Sequence, residues 1–232
     1  MIAVIGAMES EVELLRERMH LAVEHVHAGK RFYEGTLEGV SLVLAACGVG
    51  KVHAASCAQA LIDRFQPTLI IFTGIAGSLD ARIDIGDIVV SSDCVQHDFF
   101  AGPLGCAHGQ IPGFNAVGFE ADAELRACAL ASIRAAAPHA RAFEGRIASG
   151  DRFIGDAARK ERIVRTFGAL CCEMEGAAVA QVAVLNELPF VVLRAISDKA
   201  DGSADMDYPA FEVAAAHQGA DVVCEMCRRL AR

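Results

Sequence analysis

The sequence has no run of basic residues. Its 232 residues include 21 Lys and Arg against 30 Asp and Glu, which gives a formal net charge of -9. Binding to nucleic acid or to an anionic membrane requires clustered Lys and Arg that neutralise phosphates. We therefore expect neither nucleic acid nor a membrane as the main partner.

Long apolar runs are also missing. A helix that spans a bilayer needs roughly 20 consecutive apolar residues, and no stretch approaches this length, although 53% of the residues are hydrophobic. The first residues, MIAVIGAMESEV, show no charged leader followed by a long apolar core. We expect no membrane span and no signal peptide. The hydrophobic fraction is ample for a sizeable core.

Nothing in the sequence indicates a disulfide framework. The nine cysteines are an odd number, and several lie in apolar segments typical of buried strands or helices. This pattern is typical of reduced thiols in a cytosolic protein, so we expect a cytoplasmic location. Cys224 and Cys227 form a lone C-x-x-C without a second pair of ligands nearby, so no zinc site is predicted.

Short apolar strands alternate with helical segments along the chain. Strands are predicted at 2–6, 68–72, 87–92, 145–150, 169–174 and 190–197, a hairpin at 31–48, and helices at 9–19, 51–65, 122–137, 156–167 and 209–231. This alternation indicates an α/β fold in which helices cover both faces of an at least partly parallel sheet. With no linker and no internal repeat, residues 1–232 are expected to form a single domain.

Residues 97–118 interrupt the alternation. Gly and Pro punctuate apolar residues that look exposed in this segment. Its two histidines, His97 and His108, lack the spacing of metal ligands, so we expect them at the surface or in an interface.

Polar side chains gather where the predicted strands end, and ligands bind at the carboxyl ends of strands in such folds. The set is Glu9, Glu11, Thr73, Ser149, Asp151, Glu173, Glu175, Ser197 and Asp198. Several have an ordinary structural explanation as well. An acid such as Glu11 in a first helical turn complements the helix dipole, and Asp198 could cap a turn. The pair Glu173 and Glu175 could do the same, or could grip a ligand hydroxyl.

Three other features of the sequence could indicate a function. The Gly74–Gly77 stretch is expected to be a tight turn, and it is too short for a dinucleotide-binding fingerprint. Lys51 follows Gly-Val-Gly, but the Walker pattern for phosphate binding is absent. Arg194 lies inside an apolar strand and needs a buried carboxylate partner, for which Glu175 is the candidate.

Five segments of the chain are GAMESEVELL, TGIAG, SGDRFI, EMEGAAVA and VVLRAISDKAD. Together they resemble the signature segments of the bacterial 5′-methylthioadenosine/S-adenosylhomocysteine nucleosidases, in the purine nucleoside phosphorylase superfamily, and the resemblance runs from residue 1 to near 231. It implies a nucleoside phosphorylase-like, three-layer α/β/α sandwich with a central mixed sheet. It also implies a homodimer that needs no metal and no organic cofactor.

The implied reaction is the hydrolysis of the N-glycosidic bond of an adenine nucleoside with a 5′-thio group. The products are adenine and a 5-thioribose sugar, which places the family in methionine salvage. Cleavage builds positive charge on the ribose and negative charge on the departing adenine, and both must be stabilised in the transition state.

The resemblance assigns the chemistry to two carboxylates. Asp198 matches the general acid that protonates adenine N7, and Ser197 matches the residue that orients it. Glu11 matches the base that positions and deprotonates the attacking water. Because an ordinary Asp has a pKa of about 3.9, the site must desolvate Asp198 or relay a proton through it.

Other positions match groups that hold the substrate. Glu175 matches the carboxylate that binds the ribose hydroxyls, with Met174 packed beside the sugar. Glu173 matches a second acid near the sugar, and its role stays open. Arg194 matches an arginine near Glu175 and the water. The aromatic ring of Phe153 and the main chain at Ile154 match the adenine-binding positions.

The remaining matches concern the 5′ end of the substrate. Met8, Val49 and Tyr208 match the apolar wall contributed by the same chain, and Tyr208 replaces a frequent Phe. Ile75 stands where some members carry a serine near the water. Positions that a second subunit contributes across the dimer are matched by Ala101, Leu104 and Pro112, all within 97–118. Burial in a partner would explain why that segment is apolar.

Three alternatives stay open at this point. A nucleoside phosphorylase on the same fold would need arginines for phosphate at the first turn and near TGIAG, where Glu9 and Glu11 and no Arg are found. A hydrolase for another adenine nucleoside, such as 6-amino-6-deoxyfutalosine, would use the same motifs. A non-catalytic nucleoside-binding protein would be expected to lack Glu11 or Asp198.

Overall fold

Strands and helices are interspersed along the chain, and some strands follow one another directly. The computed structural model describes residues 1–231, and within them all side chains except those of Leu21 and residues 204–210. The strands are β1 (Ile2–Gly6), β2 (His20–His27), β3 (Lys30–Leu37), β4 (Val40–Ala46), β5 (Leu69–Ser78), β6 (Ile88–Gln96), β7 (Phe119–Glu120), β8 (Ala142–Ser149), β9 (Cys171–Glu173) and β10 (Phe190–Asp198). The α-helices are α1 (Glu9–Arg18), α2 (Lys51–Phe65), α3 (Ala123–Ala136), α4 (Ala157–Phe167), α5 (Gly176–Leu185) and α6 (Ala204–Leu230).

The described strands form one mixed sheet. Strand β1 runs parallel to β4 and β5, and β10 runs parallel to β5. Strands β2, β3 and β4 form an antiparallel meander at one end. At the other end β10 also pairs antiparallel with β6, β6 and β8 pair in parallel, and β9 joins β8 back to β5. The second half of the sheet therefore closes on itself, and it brings the ends of β5, β9 and β10 together.

Two helical layers cover the sheet. On one face α2 and α5 pack together, and on the other face α1, α3 and α6 do so. Strand β1 shows why both faces are apolar: Ala3 and Ile5 belong to the core under α2 and α5, whereas Ile2 and Val4 belong to the core under α1, α3 and α6. Side chains alternate between the faces of a strand, so a strand covered on both sides is apolar throughout. The predicted three-layer α/β/α sandwich is confirmed.

Local sequence signals predict several elements well. The hairpin around Glu38 and Gly39 is confirmed as β3 and β4, with both turn residues at positive φ. Asp122 caps α3 as expected, because its carboxylate accepts the Leu125 N–H at 2.9 Å. Strand β2 was not predicted; it lies at the edge of the sheet, where Val23 and Val26 are exposed and the apolar alternation is weak.

The expectation of a tight turn at Gly74–Gly77 is wrong. These residues continue β5, in register with β10 from Arg194↔Gly74 to Asp198↔Gly77. Because Gly74 and Gly77 have no Cβ, other side chains can pack closely against the strand. A Cβ on Gly74 would lie 2.7 Å from Arg194 Nη1 and from Glu11 Oε1, and a Cβ on Gly77 would lie 2.6 Å from Asp198 Oδ1. The glycines therefore leave room for charged side chains beside the strand.

The described residues also bear on the expectations about membrane spans and disulfides. Among them, no helix has both the length and the apolar character needed to cross a membrane. The nine cysteines are free thiols, and Cys224 and Cys227 are both buried in α6.

Candidate active site

A cavity of about 310 Å³ opens where β1, β5, β9 and β10 end. It collects most of the residues that the sequence singles out, although they are scattered along the chain. Those that line it are Met8, Glu11, Val49, Ile75, Phe153, Ile154, Glu173, Met174, Glu175, Ser197 and Asp198. The closed half of the sheet explains this convergence, because it brings the ends of distant strands to one place.

Glu11 is held by three backbone donors at the first turn of α1. Its Oε2 accepts the N–H groups of Ala7 at 2.6 Å and Met8 at 2.9 Å, and its Oε1 accepts the Ile75 N–H at 3.1 Å. The side chain thus satisfies donors at the helix start and bridges to β5. It is 4% exposed. Burial raises the pKa of Glu11, and the lowering by Arg194 and the backbone donors does not fully offset this.

Asp198 ends β10 and is also buried, at 2% exposure. Its Oδ2 accepts the Ser197 hydroxyl at 2.9 Å, and its Oδ1 accepts the Ala200 N–H at 2.8 Å. The register of β10 against β5 shifts between Ile196 and Asp198, which is typical of a bulge that re-aims a side chain. Gly77 provides the space that the carboxylate occupies.

Glu175 precedes α5 and reaches across to the start of α2. Its Oε1 accepts the Gly50 N–H at 2.7 Å. Burial, and then repulsion from the charge of Glu173, raise the pKa of Glu175 to about 7. A carboxyl group with this pKa changes its charge near neutral pH and can accept or donate a hydrogen bond to a ligand hydroxyl.

The partner of Arg194 is Glu173, which corrects the expectation of Glu175. The guanidinium donates to Glu173 Oε2 from Nη2 at 2.6 Å and from Nε at 3.2 Å. It also stacks over Phe72, with 4.2 Å from Cζ to the ring centre. Although burial lowers the pKa of Arg194, the charges of Glu173 and Glu11 raise it above its ordinary value. Arg194 lies behind the cavity and does not line it.

Strand register explains why Glu173 rather than Glu175 makes this contact. Glu173 is the last residue of β9 and stands opposite Ser149 of β8. Its Oε1 accepts the Ser149 hydroxyl, and its Oε2 accepts the Gly176 N–H at 2.7 Å. Glu173 therefore joins Arg194, β8 and the first turn of α5. The sequence indicates Ser149 only as a polar residue at a strand end, but its hydroxyl also accepts the Ala177 N–H at 2.7 Å.

The rest of the cavity wall is largely apolar. Phe153 and Val49 are 46% and 49% exposed at its mouth, whereas Ile75 and Ile154 are buried in its wall. The sequence prediction did not include five further lining residues, Ala7, Ala76, Gly77, Arg152 and Cys172. In a single sequence, a small residue next to a functional one shows no pattern that marks it as part of a cavity wall. Burial raises the pKa of the Cys172 thiol, so this group is neutral.

Besides Arg194, four predicted positions lie outside this cavity wall or outside the description. The side chain of Tyr208 lies outside the described residues. Leu104 is 75% exposed, Pro112 is exposed, and Ala101 is buried within its own chain. Phe100 in the same segment is also exposed.

The site joins buried carboxylates with an apolar, partly aromatic wall. Glu11 and Asp198 are two buried acids in one cavity, an arrangement suited to a base and an acid that act on the same ligand. Among the described residues, no group of three or more His, Cys, Asp or Glu side chains has the arrangement of a metal site.

Comparisons with known proteins identify the family of this chain. A model of the phosphorylase superfamily matches residues 1–229. The 5′-methylthioadenosine/S-adenosylhomocysteine nucleosidase of Geobacillus kaustophilus is 41% identical over 225 residues, which cover 97% of this chain and 95% of that protein.

Two solved structures show the same likeness. The nucleosidase of that name from Neisseria meningitidis, in complex with methylthio-immucillin-A, has a TM-score of 0.95 and 38% identity, with 98% of each chain covered. The futalosine hydrolase of Helicobacter pylori has a TM-score of 0.92 and 34% identity, with 98% of this chain and 97% of that one covered.

Proposed function

The chain belongs to the phosphorylase superfamily, in the family of 5′-methylthioadenosine/S-adenosylhomocysteine nucleosidases, and from this premise we propose that it hydrolyses the N-glycosidic bond of these two nucleosides. The products are adenine and the 5-thioribose sugar. One observation carries the proposal: Glu11 and Asp198, each almost fully buried, line one cavity together with Glu175 and Phe153.

Asp198 acts as the general acid in this proposal. Protonation of adenine N7 converts a poor anionic leaving group into a neutral base, so the proton donor must lie beside the ring. The Ser197 hydroxyl and the Ala200 N–H hold the two carboxyl oxygens and fix the orientation of the group. General acid catalysis of this kind contributes about a hundred- to ten-thousand-fold to a rate.

Glu11 acts as the base that directs water onto the ribose. Its raised pKa favours proton acceptance, and the nearby charge of Arg194 keeps the ionised form available. Arg194 in turn is fixed by Glu173, so we assign Glu173 to positioning. Ile75 supplies a backbone N–H to Glu11 and has no hydroxyl to offer the water.

Glu175 holds the sugar. A carboxylate can accept hydrogen bonds from both hydroxyls of a vicinal diol, and its negative charge favours the cationic ring of the transition state. Met174 packs beside the sugar. The ring of Phe153 stacks on adenine, while the main chain at Phe153 and Ile154 contacts the base edge.

The 5′ substituent lies against an apolar wall. Met8 and Val49 supply it from the same chain, and Tyr208 is proposed to complete it. In the proposed homodimer Ala101, Leu104 and Pro112 of the second copy close the same pocket. The exposure of Leu104 and Pro112 in this chain supports that assignment.

The acidic side chains that line the cavity favour hydrolysis over phosphorolysis. A phosphate would have to enter a cavity lined by Glu11, Glu173 and Glu175, and each of these groups repels it when ionised. The buried Arg194 is already paired with Glu173 at 2.6 Å. A water molecule meets no such repulsion.

A second candidate substrate is another adenine nucleoside, such as 6-amino-6-deoxyfutalosine. The likeness to the Helicobacter pylori futalosine hydrolase favours it, and the same cavity would accept the same base and ribose. We further propose that residues 1–232 act as one domain in the cytoplasm, as part of methionine salvage.

Adenine release from three nucleosides tests these proposals. The purified protein is incubated separately with 5′-methylthioadenosine, S-adenosylhomocysteine and 6-amino-6-deoxyfutalosine, and free adenine is measured by chromatography. Release from the first two is the expected result. Release from 6-amino-6-deoxyfutalosine alone would favour the second candidate, and no release from any of the three would contradict both.

A further inference from the structure

Lys51 occupies a position that general rules disfavour. It is the first residue of α2, where the positive end of the helix dipole repels a cation, and no acidic residue lies in that first turn. Its side chain is nevertheless only 17% exposed. Something beyond the helix must stabilise the ammonium group there.

Two aspartates and a glutamine surround the lysine. Lys51 Nζ donates to Asp98 Oδ1 at 2.6 Å and to Gln96 Oε1 at 3.2 Å, and it lies 3.8 Å from Asp151 Oδ2. Partial burial raises the pKa of Asp98, but the hydrogen bonds from Lys51 and from the Asp151 N–H, together with the positive charge of Lys51, hold that pKa below its ordinary value. These acids come from segments far apart in the sequence.

Asp151 closes these contacts into a ring. Its backbone N–H donates to Asp98 Oδ2 at 2.9 Å, and its Oδ1 accepts the backbone N–H of Lys51 at 2.8 Å. The three residues Lys51, Asp98 and Asp151 are therefore joined pairwise, and we call them the lysine ring. Without the ammonium group, two carboxylates would face each other.

Lys51 and Asp151 are close in sequence to residues that line the cavity or bind its acids, and Asp98 begins the segment that is proposed to face the partner. Gly50, next to Lys51, donates its N–H to Glu175 at 2.7 Å. Phe153 follows Asp151 by two residues and lines the cavity. Asp98 begins the segment that carries Leu104. The ring thus connects the proposed ribose, adenine and partner-facing parts of the site.

A further chain of hydrogen bonds connects the lysine ring to α5. Gln96, which accepts from Lys51, donates through Nε2 to Gln181 Oε1 at 2.7 Å. Gln181 lies in α5, whose first turn follows Glu175. Lys51 itself does not line the cavity, so its effect on a ligand must pass through these neighbours.

We propose that Lys51 is a positioning residue that holds the Gly50, Asp151–Ile154 and Asp98 segments in their substrate-binding arrangement. This inference rests on the proposed function. The hydrogen bonds of the lysine ring and of the adjacent Gly50 lead to the proposed ribose and adenine parts of the site, so we expect the ring to govern binding of the nucleoside rather than the chemical step. Loss of the ring should raise KM and leave kcat close to that of the unaltered protein.

Steady-state adenine release from 5′-methylthioadenosine tests this with Lys51→Met. The expected result is a rise in KM of about tenfold, which corresponds to about 1.4 kcal/mol of lost binding. Lys51→Arg, which keeps the charge, should recover much of the loss. Arg126→Met is the matched control, because its ion pair with Glu144 is similarly shielded at 21% exposure and remote from the cavity.

A second variant tests the ring even if Lys51→Met does not fold. Asp98→Asn should also raise KM, and in the double variant with Lys51→Met the two effects should not add, because either change opens the same ring. Additive effects, or an unchanged KM in either folded single variant, would overturn the proposal. A fall in kcat at constant KM would do so as well.

Direct binding separates this inference from the proposed reaction. Calorimetric titration with adenine needs no turnover, and Lys51→Met should weaken adenine binding by about tenfold, again about 1.4 kcal/mol. That result would support the lysine ring even in a protein that hydrolyses a different adenine nucleoside. Unchanged adenine affinity in the folded variant would contradict it.

Discussion

At the scale of single residues, the site depends on acids that are buried but hydrogen-bonded. Asp198 illustrates this, because its two carboxyl oxygens have different donors, the Ser197 hydroxyl and the Ala200 N–H. Those contacts need only an acceptor, so they hold the group in place whether or not it carries a proton. Its proposed catalytic task, in contrast, requires a proton that can be transferred.

The substitution Asp198→Asn should therefore keep the shape of the side chain and remove its ability to transfer a proton. The amide has nearly the same shape but cannot deliver a proton to adenine, so kcat should fall by about a hundred- to ten-thousand-fold. Asp201→Asn, three residues further along the chain, is the control and should retain activity. Thermal unfolding monitored by circular dichroism checks that both variants fold. Near-normal turnover in a folded Asp198→Asn protein would remove Asp198 from its assigned role.

Glu175 gives a prediction about stability. Its pKa of about 7 in the folded protein lies above the ordinary 4.5, so the folded state binds this proton more tightly than the unfolded state. The contribution of Glu175 to stability is therefore greatest below pH 4.5 and is lost as the pH rises to about 7. Glu175→Gln should raise the free energy of unfolding more at about pH 8 than at about pH 4.

Urea unfolding at the two pH values measures this difference. The Gln side chain keeps an oxygen that can accept the Gly50 N–H, so the comparison isolates the charge. An equal effect of the substitution at both pH values would show that the Glu175 carboxyl has an ordinary pKa.

At the scale of elements, β5 shows what a single sequence can and cannot indicate. Residues 68–72 predict its buried first half, because a short apolar run is typical of such a strand. The continuation through Gly74 and Gly77 is not predictable from local signals, since Gly-rich stretches usually indicate turns. The reason for these glycines is nonlocal: Arg194, Glu11 and Asp198 approach the strand from other elements.

Gly74→Ala tests the explanation that the glycines of β5 leave room for side chains from other elements. The added Cβ would lie 2.7 Å from Glu11 Oε1 and from Arg194 Nη1, so the side chains must move. Overpacking of this kind costs about 1–3 kcal/mol, and kcat/KM should fall by about tenfold or more. Gly202→Ala is the control, because its Cβ would meet no atom within 4 Å. Equal kcat/KM for the two variants would contradict the packing argument.

The single sequence also does not decide between the acid that ends β9 and the acid that precedes α5 as the partner of Arg194. The sequence indicates that Arg194 needs a carboxylate, and it offers Glu173 and Glu175 only two residues apart. The choice depends on strand register, because Glu173 stands opposite Ser149 whereas Glu175 has already left the strand. Glu11 and Asp198 could be predicted because whole motifs resemble a family. Arg152 and Cys172 could not, because the resemblance assigns no role to Arg152 within SGDRFI and Cys172 lies outside the five segments.

At the scale of the whole molecule, segment 97–118, which we propose faces the partner, is expected to connect assembly with the site. Exposed apolar residues such as Phe100 and Leu104 are typical of surfaces that a partner covers. The lysine ring ties the start of this segment to the cavity through Asp98. Assembly and substrate binding are therefore expected to depend on each other.

Leu104→Glu tests the proposed homodimer. Analytical ultracentrifugation should give the mass of two chains for the unaltered protein and of one chain for the variant, because the interface would bury an unpaired charge. The variant should also show a higher KM for 5′-methylthioadenosine. Val26→Glu, which changes a similarly exposed residue on edge strand β2, should remain a dimer. A fully active monomer of the unaltered protein would contradict the assembly.

The central claim is that water, and not phosphate, cleaves the nucleoside in this cavity. The most direct measurement is adenine release from 5′-methylthioadenosine with and without inorganic phosphate, with the sugar product identified by mass spectrometry. The predicted result is free 5-methylthioribose at a rate that does not depend on phosphate. Strict dependence on phosphate, with a sugar 1-phosphate as product, would contradict the roles assigned to Glu11 and its neighbouring acids.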